Sequence, residues 1–216
     1  AMPPSGMGVM RACIGGTGGL TLSAVLAMAA HVQGLQASVY DMTGFAQKNG
    51  AVLSHLQVAA PGQALPTAVI GLGGAQLVLA FDLIAALTPE SFLTMAPGTR
   101  LLGNDRVLPT MANVVDPQAR IDVSLLARRI AARVGAGHAA YVDATGLATA
   151  LCGDSIAANF FLVGVALQRG WLPLRLEAVQ RAIEANGVQV PFNLQALRLG
   201  RLWAHDAAVV LALLPA

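Results

Sequence analysis

Residues 9–42, VMRACIGGTGGLTLSAVLAMAAHVQGLQASVYDM, read as strand, glycine turn, helix and strand. VMRACI (9–14) is a short apolar strand, and ASVYDM (37–42) is a second one with β-branched and aromatic residues. Between them, residues 18–31 are rich in Ala and Leu, with Leu22, Leu26 and Ala29 on one helical face, and Gly34 ends the run. A strand–turn–helix–strand unit of this kind predicts a doubly wound α/β fold.

The turn CIGGTGG (13–19) is glycine-dense, as a loop must be where the backbone approaches a phosphate. A dinucleotide fingerprint needs G-x-G-x-x-G. Here Cys13 takes the first place, while Gly15 and Gly18 fit the pattern. A Cβ at a turn position of positive φ is poorly tolerated. Three readings stay open on these residues alone: a nicotinamide or flavin site with Asp41 at the ribose, a site for another anion, or a close-packed turn.

Further along, AVLSHLQV (51–58), AQLVLAFD (75–82), TRLLGN (99–104) and AAYVDAT (139–145) read as strands. Pro61, Gly62 and Pro66 mark a turn-rich connector. LIAAL and TPESFLTM (88–95) suggest helix, with Thr88 as N-cap and Pro89 in the first helical position. Residues 122–134 form an amphipathic pattern stopped by Gly135. Its three arginines, Arg128, Arg129 and Arg133, lack interleaved aromatics and read as a solvated face, not a nucleic-acid surface. Helices are expected over 145–152, 154–169 with Asp154 as N-cap, 174–186, and from 193 to the end.

Composition narrows the function. Of 216 residues 56% are hydrophobic and 11% charged, with a net charge of +2, so the chain is expected to associate with other subunits. Cys13 and Cys152 belong to no CxxC set. Two thiols cannot hold an iron–sulfur cluster, which takes four ligands. Residues 68–87 are nearly uncharged, but Gly71, Gly73 and Gly74 interrupt them, so no membrane span is expected there. Without a basic and apolar leader pattern, the expected location is cytoplasmic.

The segment DMTGFAQKNGAVLSH (41–55), together with CIGGTGG, resembles the gamma-type domain of 2-oxoacid:ferredoxin oxidoreductases, nearest to the indolepyruvate branch. That family carries a GxGGxG turn followed by G-x-A-Q-(R/K)-G-G-x-V-x-S-H. The resemblance continues through LVLAFDLIAAL, LLGNDRVLPT, YVDATGLATALCGDSIAANFFLVG and QRGWLPLRLEAVQRAIEANG. Cys13 and Asn49 depart from it, each standing where the family has glycine.

The resemblance implies a Rossmann-like, three-layer α/β domain like domain III of pyruvate:ferredoxin oxidoreductase. It would span 1–216 as one domain, with an α/β core over about 9–145 and a helical part over about 145–216. It implies a component of an enzyme that oxidatively decarboxylates a 2-oxoacid, here an aryl one, and that is inactive alone. Thiamine diphosphate, coenzyme A and Fe-S clusters would serve the assembled enzyme. They would be held by thiamine-diphosphate-binding partner subunits or domains, with ferredoxin an indirect partner. No cofactor or metal, and no catalytic residue, is assigned to this chain with the same force. Gly15, Gly16, Thr17, Gly18, Gln47, Lys48, Asn49 and Asn104 are the candidate contacts to a cofactor. Two other classes compete: a free-standing NAD(P)-dependent dehydrogenase, and an assembly module that binds no small molecule.

Individual residues add detail. Ser54 and His55 are neighbours on a strand, so they face opposite sides and cannot serve together as nucleophile and base. Asp82, Asn104 with Asp105, and Asp143 end their strands, where they would cap helices or line a crevice. Asn159 sits in an otherwise apolar helix and needs a partner.

Overall fold

The computed structural model describes residues 6–14, 19–43, 50–65, 67–106 and 122–215. The glycine turn 15–18 and the segment 44–49 therefore lie outside the described residues. With them lie seven of the eight candidate contacts: Gly15, Gly16, Thr17, Gly18, Gln47, Lys48 and Asn49.

The unit read from residues 9–42 forms as strand β1 (Met7–Ile14), helix α1 (Gly19–Val32) and strand β2 (Gln36–Thr43). Gly34 ends the helix at φ +79°, a conformation that a side chain would disfavour. The two strands are not neighbours, however. Strand β3 (Ala51–Ala59) lies between them, antiparallel to both, and the sheet runs β2-β3-β1-β4-β5-β6. The simple doubly wound reading thus gives way to a mixed α/β sheet. Only residues 44–50 separate β2 from β3, a length that suits antiparallel neighbours, whereas parallel strands need a crossover.

On the other side of β1, strands β4 (Leu77–Ala80), β5 (Arg100–Asn104) and β6 (Ala139–Val142) run parallel to it. The helices between them are α2 (Leu83–Ala86), α3 (Pro89–Phe92) and α4 (Val123–Val134). Thr88 holds the N-cap position of α3, yet its hydroxyl donates backwards to the Ala85 carbonyl, so the cap is positional only. Arg128 and Arg129 are exposed as expected. Arg133 is not: it is half-buried, with its guanidinium 5.5 Å from the Phe92 ring centroid.

The C-terminal helices are α5 (Ala144–Cys152), α6 (Ala158–Gln168), α7 (Leu176–Asn186), α8 (Val190–His205) and α9 (Ala207–Leu211). Two expected helices are shorter than read. Asp154 caps a 3-10 turn, Ser155–Ala157, and not α6 itself. Asp206 ends α8 in an extended conformation and its carboxylate caps α9. In both places an Asp side chain takes a backbone N–H and so competes with helix continuation.

Alternation along the strands divides the apolar residues between two faces. Val9, Leu56, Leu77, Leu79 and Leu102 meet α1 and the C-terminal helices. Met10, Ala12, Leu53, Val78 and Leu101 meet Ile70, Met95, Ile130 and Val134 on the other. Helix α6 is buried at every position from Ala158 to Ala166. It crosses α8 through two glycines: a Cβ on Gly164 would strike the Leu197 carbonyl oxygen, and one on Gly200 the Phe161 carbonyl oxygen. Residues 68–87 are divided among a loop, β4 and α2, and no helix among the described residues is long and apolar enough to cross a membrane.

Candidate functional site

The parallel strands β1, β4, β5 and β6 end at one edge of the sheet, and a cavity of about 210 Å³ opens there. Cys13 and Ile14 close it from β1, Phe81 and Asp82 from β4, and Asn104 from β5. Thr145 on α5, the 3-10 turn and Asn159 on α6 complete it. This is the carboxyl edge, where open α/β sheets bind ligands.

Asn104 is the one candidate contact that the described residues include, and it does line the cavity. Its amide already ties three segments together. The nitrogen donates to the Phe81 carbonyl at 3.2 Å and to the Thr145 hydroxyl at 2.8 Å, and the oxygen accepts from the Thr145 N–H at 3.3 Å. What this geometry shows is a clamp that holds the ends of β4, β5 and α5 together.

Asp82 offers more. One carboxyl oxygen accepts from the Ala85 N–H at 2.8 Å and caps α2, as its place after the strand suggested. The other is buried and has no hydrogen-bond partner among the described residues, and burial pushes the carboxyl above its usual range. An unpaired oxygen of this kind is costly to bury, so a donor that reached it would be favoured. Among the described residues the lining contains Asp82 and Asp154 but no Lys or Arg. A phosphate would meet charge of its own sign here. A neutral group carrying hydroxyl or amide donors fits better.

Asp143 lies at the rim rather than in the lining. It accepts from the Gly146 N–H at 2.7 Å, capping α5, and pairs with Arg106 at 2.8 Å. Burial, and next the neighbouring Asp143, raise the carboxyl of Asp105.

Behind the Cys13 wall lies a buried network that starts from Arg11, a residue the sequence reading passed over. Arg11 is 2% exposed. Its guanidinium donates to the Cys13 sulfur at 3.4 Å and to the Ser54 hydroxyl, and Ser54 donates in turn to the Asp41 carboxylate. Arg11 and Asp41 stand 3.7 Å apart as an ion pair. Register explains the set: Arg11, Ser54 and Asp41 are direct partners across β1, β3 and β2, so all three share one face. Burial lowers the Arg11 pKa, and its neighbours Cys13 and Asp41 oppose that. The visible signal was an arginine inside an otherwise apolar strand.

This network removes Asp41 from the role that a dinucleotide site would give it. Its carboxylate is engaged by Ser54 and Arg11, and β3 separates its strand from β1. His55 faces the opposite side of the sheet from Ser54, as strand alternation required. Its Nδ1 accepts from the Ile70 N–H at 3.1 Å, and burial lowers its pKa, so the neutral ring is the form the fold uses. Cys13 and Cys152 form no disulfide, and no group of three or more His, Cys, Asp or Glu among the described residues could hold a metal ion.

Comparison with known proteins places these features in a wider setting. Residues 8–203 match the family described as pyruvate ferredoxin/flavodoxin oxidoreductase. The indolepyruvate oxidoreductase subunit IorB of Archaeoglobus fulgidus is 28% identical over 193 residues, covering 87% of this chain and 90% of that protein. Among solved structures, the pyruvate oxidoreductase subunit PORC of Thermotoga maritima superposes with a TM-score of 0.63 at 20% identity, over 90% of this chain and 94% of that one. The gamma subunit of a keto/oxoacid ferredoxin oxidoreductase from Geobacter sulfurreducens gives 0.63 at 18% identity, over 92% and 98%. The 2-oxoglutarate:ferredoxin oxidoreductase of Magnetococcus marinus, solved with 2-oxoglutarate, coenzyme A and succinyl-CoA bound, gives 0.66 at 15% identity. There the likeness covers 93% of this chain and 31% of the larger one.

Proposed function

We propose a function from the premise that the chain belongs to the pyruvate ferredoxin/flavodoxin oxidoreductase family: it is the gamma-type subunit or domain of an indolepyruvate-type 2-oxoacid:ferredoxin oxidoreductase. The carrying observation is the match to a separate indolepyruvate oxidoreductase subunit over nine-tenths of that subunit's length. In this reading residues 1–216 act as one component that is inactive alone. Thiamine diphosphate and the Fe-S clusters, which in such an enzyme supply the decarboxylation and the electron path, are held by partner regions. The chain's own two cysteines are too few for a cluster.

The chain contributes a wall at the carboxyl edge of its sheet. Asp82 presents a free oxygen to a donor group, Asn104 holds the strand ends in register, and the Arg11 network stiffens the β1 side. The fit to coenzyme A divides along the molecule. The acidic cavity suits its neutral, amide-bearing arm, while phosphates would need the cation Lys48 with Gln47, Asn49 and the turn Gly15-Gly16-Thr17-Gly18. The dehydrogenase reading is set aside because Asp41 is engaged elsewhere.

The test is dye reduction driven by an aryl 2-oxoacid with thiamine diphosphate and coenzyme A. The purified chain should show none, and the chain joined with its thiamine-diphosphate-binding partner should be active. Turnover by the chain alone, or 2-oxoacid-independent NAD reduction, would refute the component role. In the active assembly, Lys48→Ala should raise the coenzyme A KM about tenfold, the loss of one charge-assisted contact, and leave that for the 2-oxoacid unchanged. An unchanged coenzyme A KM would favour the assembly-module reading.

A further inference from the structure

The opposite edge of the sheet plays no part in the function proposed above, and it holds the larger opening. A groove of about 790 Å³ runs across the amino ends of β1, β4 and β5, walled by the loop between α6 and α7. That loop is the Gly170-Trp171-Leu172-Pro173 stretch of the motif QRGWLP. Among the described residues the lining includes Arg100 and Arg175, both exposed, and no acidic residue. Arg100 lies 5.7 Å and Arg169 5.1 Å from the centroid of the Trp171 ring, and Arg169 also lies 5.9 Å from Trp203.

None of these three arginines has an ion pair among the described residues. A guanidinium stacked on an indole is held by its flat face, and its N–H edge remains free for a carboxylate fork. Trp171 already carries two guanidiniums, so it offers little to a stacking nucleobase. The groove draws on four separate loops, a span far beyond one phosphate. Half-buried Met7 and Leu35 give it an apolar floor for the stems of side chains.

We propose that this amino-edge groove docks an acidic segment of a partner protein, with carboxylates received by Arg100 and Arg175 and the arginine plane fixed by Trp171. The surface stands independently of the oxidoreductase reading, since it uses no residue of the carboxyl-edge cavity.

The test titrates the full chain into fluorescein-labelled hexaglutamate, followed by anisotropy, at about 0.02 M ionic strength where surface charges are weakly screened. Saturable binding is expected, weakened about tenfold by Arg100→Gln with Arg175→Gln, since two charge-assisted contacts are lost. Arg128→Gln with Arg129→Gln removes the same charge from the exposed face of α4 and should leave affinity within about twofold. Arg100→Lys with Arg175→Lys keeps the charge, loses the fork and should fall between, at about threefold; it also serves as the reading if the glutamine pair melts early. Equal losses in the two glutamine pairs, no saturable binding, or displacement of the peptide by ATP at lower concentration than by unlabelled hexaglutamate would each overturn the proposal.

Discussion

The two edges of one sheet carry opposite chemistry. Among the described residues, the cavity of about 210 Å³ at the carboxyl edge is lined by Asp82 and Asp154 and by no cation. The groove of about 790 Å³ at the amino edge is lined, among the same residues, by Arg100 and Arg175 and by no acid. The same strands, β1, β4 and β5, supply both, so the difference does not come from the sheet. At the carboxyl edge it comes from capping: turns that lead into helices there need side-chain acceptors for free helix N–H groups, and Asp82, Asp143 and Asp154 meet that need. At the amino edge Arg169 stands at the C-terminus of α6, where a cation is favoured, whereas Arg100 opens β5 and Arg175 holds the N-cap position of α7. Capping thus biases the carboxyl edge acidic and does not by itself set the groove arginines.

Helix α6 connects the two: Asn159 at its start lines the cavity, and Arg169 just past its end stacks on Trp171. The largest effect should therefore come from prying α6 off α8. Gly200→Ala places a methyl against the Phe161 carbonyl, a backbone atom that cannot rotate away, and should cost about 3 kcal/mol by urea unfolding. Both edges should suffer together, with hexaglutamate binding lost along with stability. A stable variant with one edge intact would mean that the two are uncoupled.

Next comes Arg11→Met, which touches only the carboxyl side. It leaves Asp41 without its cation and removes the donor to the Cys13 sulfur. The loss should be about 2 kcal/mol, below a fully buried pair because Asp41 is partly open to solvent. Arg11→Lys should recover only part, since an ammonium cannot meet Cys13, Ser54 and Asp41 with one rigid fork. Peptide binding at the amino edge should be unchanged in both variants.

The smallest effect sharpens the acidic character of the cavity. Burial raises the Asp82 pKa above its ordinary 3.8, so the folded chain holds that proton more tightly than the unfolded one. Its contribution to stability is then full below about that value and is lost as pH rises through the folded pKa. Asp82→Asn keeps the cap to Ala85 and removes the buried charge, so the variant should gain about 1 kcal/mol at neutral pH and nothing in acid. A gain of equal size at all pH values would show that folding does not shift the Asp82 pKa.

Local features were readable from the chain. The order of strands and helices, the stop at Gly34, the cap at Asp82 and the opposed faces of Ser54 and His55 all follow from residues close in sequence. So did the placing of Asn104 at a strand end beside the cavity. The readings that failed were those in which distant residues compete for the same groups. Asp41 suited a ribose until β3 brought Ser54 and Arg11 against it. Thr88 suited an N-cap until the Ala85 carbonyl took its hydroxyl.

By itself, then, the sequence determined the α/β class, caps such as Asp82 and the stop at Gly34, and the family, because periodicity, capping and motif are local and survive without knowledge of partners. Tertiary structure decided the insertion of β3, the buried Arg11 network, the cavity around Asp82 and the arginine groove. Each joins residues far apart along the chain, Arg100 to Trp171 and Asn104 to Thr145 among them. Strand pairing and burial choose such neighbours, and pairing is settled by the sheet as a whole rather than by any one of its strands.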